Sequence, residues 1–173
     1  VILFDLWNID MNYVNEDNFS RPSAVKTPFT ANGIDEEIMK DKSSFRIYEP
    51  YRGFVNGRSS YFHNSISGYH AAKPKRMQDI YDFYLSKNKF NVLSMLNVKY
   101  IVDLNENNAL GLRLNDENLG DAWFIENIIN VNNSNEEILS LNDLNYSRDC
   151  LSKDLPNKKF TFCLLYTSDA ADD

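Results

Sequence analysis

Both histidines of the 173-residue chain, His63 and His70, fall in one stretch, "SYFHNSISGYHAAKPKRMQD" at 60–79, among tyrosines and just ahead of a basic cluster. An imidazole changes charge near neutral pH, so these two side chains are the first candidates for proton transfer or for activating a nucleophile. Ser60, Ser65 and Ser67 stand close in sequence, but there is no Gly-x-Ser-x-Gly elbow and no orienting acid that the sequence identifies. The histidines are seven residues apart rather than at i and i+4 of a zinc helix, and no Cys or close carboxylate completes a ligand set. Neither a hydrolase nor a metal centre follows from this spacing, and no catalytic residue, metal or cofactor is assigned.

Binding suits the residue types better. Tyr61, Tyr69 and His70 offer stacking faces and hydrogen-bond donors to a sugar, while Arg58, Lys73, Lys75 and Arg76 offer charge-assisted bonds to a phosphorylated one. Pro74 is tolerated only in a first helical turn, so a helix should begin near Lys73 or Pro74 and aim its amides at the His70 loop, which favours an anion. The competing reading is structural: Tyr61 and Tyr69 pack on that helix, His63 caps a turn, and the Lys–Arg group is a solvated face.

Residues 50–69 carry Gly53, Gly57 and Gly68 among many aromatics and read as a loop or irregular hairpin, the kind of segment on which function tends to sit. Behind it, Met77, Ile80, Tyr81, Tyr84 and Leu85 form one stripe of an amphipathic helix. Ahead of it, "SSFRIYEP" alternates as a strand until Pro50, and "GIDEEIMKD" at 33–41 is a short helix with acidic residues in its first turn and Ile34, Ile38 and Met39 at helical spacing. The opening "VILFDLW" reads as a buried strand ended by Asn8, followed by a polar loop up to "TANG". "FNVLSMLNVKYIVDL" combines a short helix, 92–96, with a strand, 98–104, joined tightly at Asn97. A polar loop at 105–120 follows, then a strand in "AWFIENIINV", then a helix whose Ser134 and Glu137 are spaced as a capping box. The pattern predicts an α/β fold, a mixed β-sheet with helices packed on it in a single soluble domain.

Composition bounds the function. With 43% hydrophobic and 13% aromatic residues the chain should fold, and a formal charge of −7 removes the general attraction that nucleic-acid binding needs. No apolar run approaches the roughly 18 to 20 residues that cross a bilayer. The chain begins with Val1 and lacks the features of a signal peptide, and so reads as the interior of a longer frame. "CLLYTSDAADD", 163–173, resembles a translated sequencing adapter, leaving 1–162 as the natural domain; without Asp169, Asp172 and Asp173 the charge becomes −4. A Cys150–Cys163 disulfide is not expected, because Cys163 belongs to that tail.

"DLWNIDMNYVN", "SYFHNSISGYHAAKPKRMQDIYDF", "VLSMLNVKYIV", "LGDAWFIENI" and "NEEILSLND" together resemble, in this order, the extracytoplasmic region of the YfhO family of bacterial membrane proteins. The resemblance covers residues 4 to about 162, and its strongest element is "SYFHNSISGYHAAK". It implies a polytopic glycosyltransferase of the GT-C type that moves a sugar from a polyprenyl-phosphate carrier to a cell-envelope polymer. The acidic catalytic residue is then expected in the membrane bundle or its first outer loops. This domain would sit over the bundle on the periplasmic or extracellular face, with the transmembrane part of the same protein as partner, and would bind acceptor or carrier headgroup. The alternative is a non-catalytic structural or carbohydrate-binding module. Tyr61, His63, Ser65, Gly68, Tyr69, His70 and Lys73 carry the family pattern. Asn64, Ser67 and Pro74 depart from it, where a basic residue, a second glycine and an aliphatic residue are expected.

Overall fold

The computed structural model describes residues 2–155 and the backbone of 158–159. The adapter-like tail at 163–173 and any pairing of Cys163 lie outside the described residues. The described chain is a small α/β domain whose strands form two mixed three-stranded sheets rather than one.

In the first sheet the order is β1 (Arg46–Tyr48), β2 (Val98–Leu104), β3 (Leu110–Leu114), with β1 parallel and β3 antiparallel to β2. β2 occupies the residues its apolar pattern predicts. β3 lies inside the expected loop at 105–120: Leu110, Leu112 and Leu114 alternate along it, and the Asn105 side chain closes the turn by accepting from the Asn107 and Ala109 N–H groups. The short helix expected at 92–96 is a 3-10 turn, Asn91–Leu93, that buries Val92 and Leu93 completely. Asn97 then redirects the chain into β2 at a left-handed φ of 57°, a conformation asparagine tolerates better than most residues.

The second sheet has the order β5 (Asp149–Ser152), β4 (Asn127–Asn130), β6 (Lys158–Lys159). β4 fills only the end of the strand expected in "AWFIENIINV". Trp123 lies before it, its Nε1 donating to the Tyr146 carbonyl at 2.8 Å. The helix α6 (Ser134–Ser140) is capped one residue earlier than its spacing suggests, by Asn133, whose side chain accepts from Glu136 N–H at 2.9 Å. Asparagine is as good a cap as serine, so sequence alone does not decide between neighbours.

Between the sheets lies α5 (Lys75–Phe83), preceded by Pro74 as expected. Its stripe is inward: Ile80, Tyr84 and Leu85 are buried with Tyr48, Phe54, Val92, Leu93, Val98 and Ile101, and Met77 and Tyr81 pack beside them. Tyr84 donates its hydroxyl to the Ile138 carbonyl at 2.5 Å, tying α5 to α6. On the far face of the first sheet, α3 (Gly33–Ile38) sets Ile38 against Ile47 and Val102. Met39, past the end of α3, is 38% exposed instead of packed.

The opening segment is not a buried strand. It is a helix, α1 (Ile2–Tyr13), with no buried residue; Leu3 is 84% and Trp7 67% exposed. A short apolar run does not reveal its period, and here no described strand lies alongside to complete a ladder. The helix satisfies its own backbone, with Asn8 and Asn12 side chains adding bonds to the carbonyls four residues back. A second short helix, α2 (Pro22–Lys26), interrupts the polar loop that follows.

Candidate functional site

The motif is held by the first sheet. Ile47 in β1 donates to the Asn64 carbonyl at 2.8 Å and accepts from Ile66 N–H at 3.2 Å, forming a parallel bridge to Ser65. Segment 64–66 therefore covers the outer edge of β1, and the motif begins in a helix, α4 (Arg58–Phe62), where a loop is expected.

α4 turns two motif side chains inward onto one carboxylate. Arg58 Nη2 lies 2.5 Å from Asp35 Oδ2 and its Nη1 3.3 Å from Oδ1, and the same guanidinium reaches the Thr30 carbonyl at 3.2 Å. His63 Nε2 stands 3.1 Å from Asp35 Oδ1. Asp35 itself is 2% exposed and completes a reciprocal cap on α3: its carboxylate accepts from Asn32 N–H while the Asn32 side chain accepts from Asp35 N–H. Burial pushes the Asp35 carboxyl up, but the bonds from Arg58, from Asn32 N–H and from His63 outweigh it, and the group is held below its ordinary value.

A second buried carboxylate braces the turn between β1 and α4. Glu49 is 2% exposed; its Oε2 accepts from the Ser59 hydroxyl at 2.6 Å and lies 3.0 Å from Arg52 Nε. Neighbouring Tyr51 buries its hydroxyl, and that burial raises its pKa. Asp35 and Glu49 were not singled out by the sequence. Asp35 is visible there only as an acidic residue in a helical first turn, and Glu49 only as part of a strand.

The remaining motif residues divide between packing and surface. Gly68 adopts φ +149° and a Cβ there would stand 3.2 Å from Ser60 Oγ, which itself donates to the Ser67 carbonyl at 2.9 Å. Ser65 Oγ accepts from Ser67 N–H at 3.0 Å. Lys73 is not held out toward a phosphate: its Nζ is buried 3.9 Å above the Phe54 ring, which stacks on Tyr81 at 4.5 Å. Tyr61, edge-on to Phe29 and Phe62, is 62% exposed and Tyr69 80%, so neither packs on α5. His70 is also exposed, and its Nδ1 accepts from Ala72 N–H at 3.1 Å, leaving Nε2 free to face outward. Arg76 is exposed and pairs with Glu137 at 3.3 Å.

No family model, curated protein or solved structure matches the chain.

What the arrangement can do follows from where these groups point. His63 has the acid partner that the sequence did not identify, Asp35, 28 residues away. The described bonds do not add a nucleophile to this pair: the Ser60 and Ser65 hydroxyls bond the Ser67 backbone, and His63 meets a serine only through its backbone N–H, which donates to the Ser59 carbonyl at 2.9 Å. Among the described residues no group of three His, Cys, Asp or Glu side chains could hold a metal ion, and no helix is long and apolar enough to cross a membrane. His63 borders two polar clefts of about 410 and 510 Å³ whose linings do not include His70. An apolar cleft of about 550 Å³ between α5, α6 and β5 takes Lys75 and Arg76 from the expected binding residues and none of the tyrosines or histidines.

Proposed function

We propose that this chain is the part outside the membrane of a YfhO-like glycosyltransferase, and that it binds or positions the acceptor or the headgroup of a polyprenyl-phosphate-linked sugar without making or breaking the bond. One observation carries the positioning role. Arg58 and His63 are spent on Asp35, whereas Tyr61, Tyr69 and His70 from the same motif stay exposed as stacking faces and donors. A motif that spends its charges internally and leaves its aromatic rings outside suits recognition better than acid–base chemistry. The membrane setting draws support from α1, where Ile2, Leu3, Phe4, Leu6, Trp7 and Ile9 are all exposed. Clustered exposed apolar side chains of this kind mark membrane or protein contact.

The test is sugar transfer by the full membrane protein carrying Tyr69→Ala or His70→Ala. Under this reading either change lowers transfer at least tenfold while protein abundance holds. The second reading, a bracing module, is favoured by the buried Asp35–Arg58–His63 cluster. It expects transfer to survive both surface changes and abundance to fall with Asp35→Ala or Lys73→Ala. Unchanged transfer in Tyr69→Ala and His70→Ala together would overturn the first reading.

A further inference from the structure

We propose that β3 is the contact through which a second copy of this chain adds its own β3, joining the two first sheets into one continuous sheet about a twofold axis at Leu112. The two edges of that sheet differ. Segment 64–66 covers the outer side of β1, whereas the far side of β3 has no strand beside it among the described residues.

The backbone of β3 is set for such a pairing. Its ladder with β2 closes through Asn115 N–H donating to the Lys99 carbonyl and Asn105 N–H donating to the Ala109 carbonyl, both at 2.8 Å. Alternation along an antiparallel pair then turns the backbone groups of Gly111 and Arg113 toward β2 and those of Leu110, Leu112 and Leu114 away from it. None of these outward N–H and C=O groups has a partner among the described residues. Folded proteins usually blunt such an edge with Pro, Lys or a bulge. β3 has no Pro or Lys, and its register with β2 runs without a shift. Its one charge, Arg113, lies 5.6 Å over the Phe90 ring on the sheet face instead of guarding the edge.

The side chains select the occupant. Leu110, Leu112 and Leu114 share the face of Tyr100, Val102 and Leu104. Ile38 of α3 covers Val102 there, but Leu104 and all three leucines of β3 stay exposed, Leu114 by 51%. With the axis at Leu112, Leu110 stands opposite Leu114 of the second copy and Leu112 opposite its own equivalent. The outward donors and acceptors then meet in pairs, and the leucines form one stripe across both copies. On the other face Arg113 stands opposite Gly111 of the second copy. Beyond that glycine lies Asp103 of the second copy, two strand spacings or ~10 Å from Arg113. Neither Arg113 nor Asp103 has an ion pair among the described residues, so the contact offers each a partner across a position with no side chain in the way. Moving the register two residues one way sets Arg113 against Arg113, and the other way leaves Leu114 opposite Asn108. An edge complementary to itself in a single register fits a second copy better than a strand of another sequence. It lies across the sheet from the histidine motif and does not rest on the transferase reading.

The experiment is sedimentation velocity of the 173-residue chain over a dilution series, which should show a monomer–dimer equilibrium. Leu112→Lys and Leu112→Glu each set like charges across the axis and should weaken the dimer at least tenfold. Their one-to-one mixture should restore it, because Lys then faces Glu. Circular dichroism checks that each variant is folded. Should position 112 not tolerate a charge, Leu114→Lys should also weaken the dimer, and Leu110→Glu in the same chain should rescue it, since only this register sets 110 opposite 114. A monomer at every concentration up to the solubility limit overturns the proposal and leaves the edge to a strand of another protein. A mixture that fails to recover the dimer overturns it too. So does an oligomer that ignores these charges but is lost from a chain starting at Asn15, which would place the contact on α1.

Discussion

His63 and Asp35 meet at 3.1 Å with side chains 4% and 2% exposed, joining the histidine motif to the start of a helix far upstream in the chain. Arg58 closes on the same carboxylate from the other side, so α3 and α4 are held through one buried aspartate.

Asp35→Ala should therefore be strongly destabilising. It leaves a guanidinium that is 11% exposed without its carboxylate, and breaking a buried pair from one side costs about 3 kcal/mol or more. Urea unfolding should show a lower midpoint at unchanged slope. Adding Arg58→Met should lose less than the two single changes combined, because the second change removes the stranded charge. Simple additivity would contradict this account.

The same carboxylate sets a pH dependence. In the unfolded chain an aspartate titrates at about 3.9, while folded Asp35 is held lower because the bonds from Arg58, Asn32 and His63 overcome its burial. Between the two values the unfolded state binds more protons, so stability falls as pH falls. The Asp35 contribution is complete above the unfolded value and is lost as pH drops through the folded one. Melting temperatures measured from neutral pH down into this acid range should fall more steeply in the parent than in Asp35→Asn. Parallel curves would show that other groups carry the acid sensitivity.

Gly68→Ala should destabilise by about 1–3 kcal/mol, since it forces a side chain into a sparsely populated backbone region and within 3.2 Å of Ser60 Oγ. Gly33→Ala is the control, with nothing within 4 Å of its added Cβ. Thermal melts of the two variants should separate clearly.

Tyr61→Ala, Tyr69→Ala and His70→Ala should each leave stability within about 0.5 kcal/mol of the parent, because exposed groups without buried partners contribute little. Chemical denaturation checks this, and it is the condition that makes the transfer assay interpretable. A larger loss at Tyr69 would mean that the ring packs against something.

A chain starting at Asn15 should melt at the same temperature as the whole chain, since α1 contains no buried residue. Far-UV circular dichroism should lose helix signal without a shift in midpoint. A lowered midpoint would place α1 in the core.

Several elements are legible from residue order alone because their signals are local. The stripe from Met77 to Leu85 repeats at helical spacing and forms α5, the run from Val98 to Leu104 forms β2, and Pro74 marks the helix start. Other elements are not. The apolar opening fits strand and helix equally over so few residues, and β3 is masked by Gly111 and the asparagines around it until β2 offers a partner.

Sequence by itself determined the α/β class, the amphipathic helix, the main strand and the residue types gathered at 58–76, all of which depend on neighbours a few positions apart. Tertiary structure alone decided which of those residues stay available: Asp35 reaches Arg58 and His63 across 23 and 28 residues, and Asp121 reaches Asn97 across 24. Burial is the physical reason. A charge or amide taken out of water must be matched by whatever group the fold brings beside it, and no spacing within the chain names that group in advance.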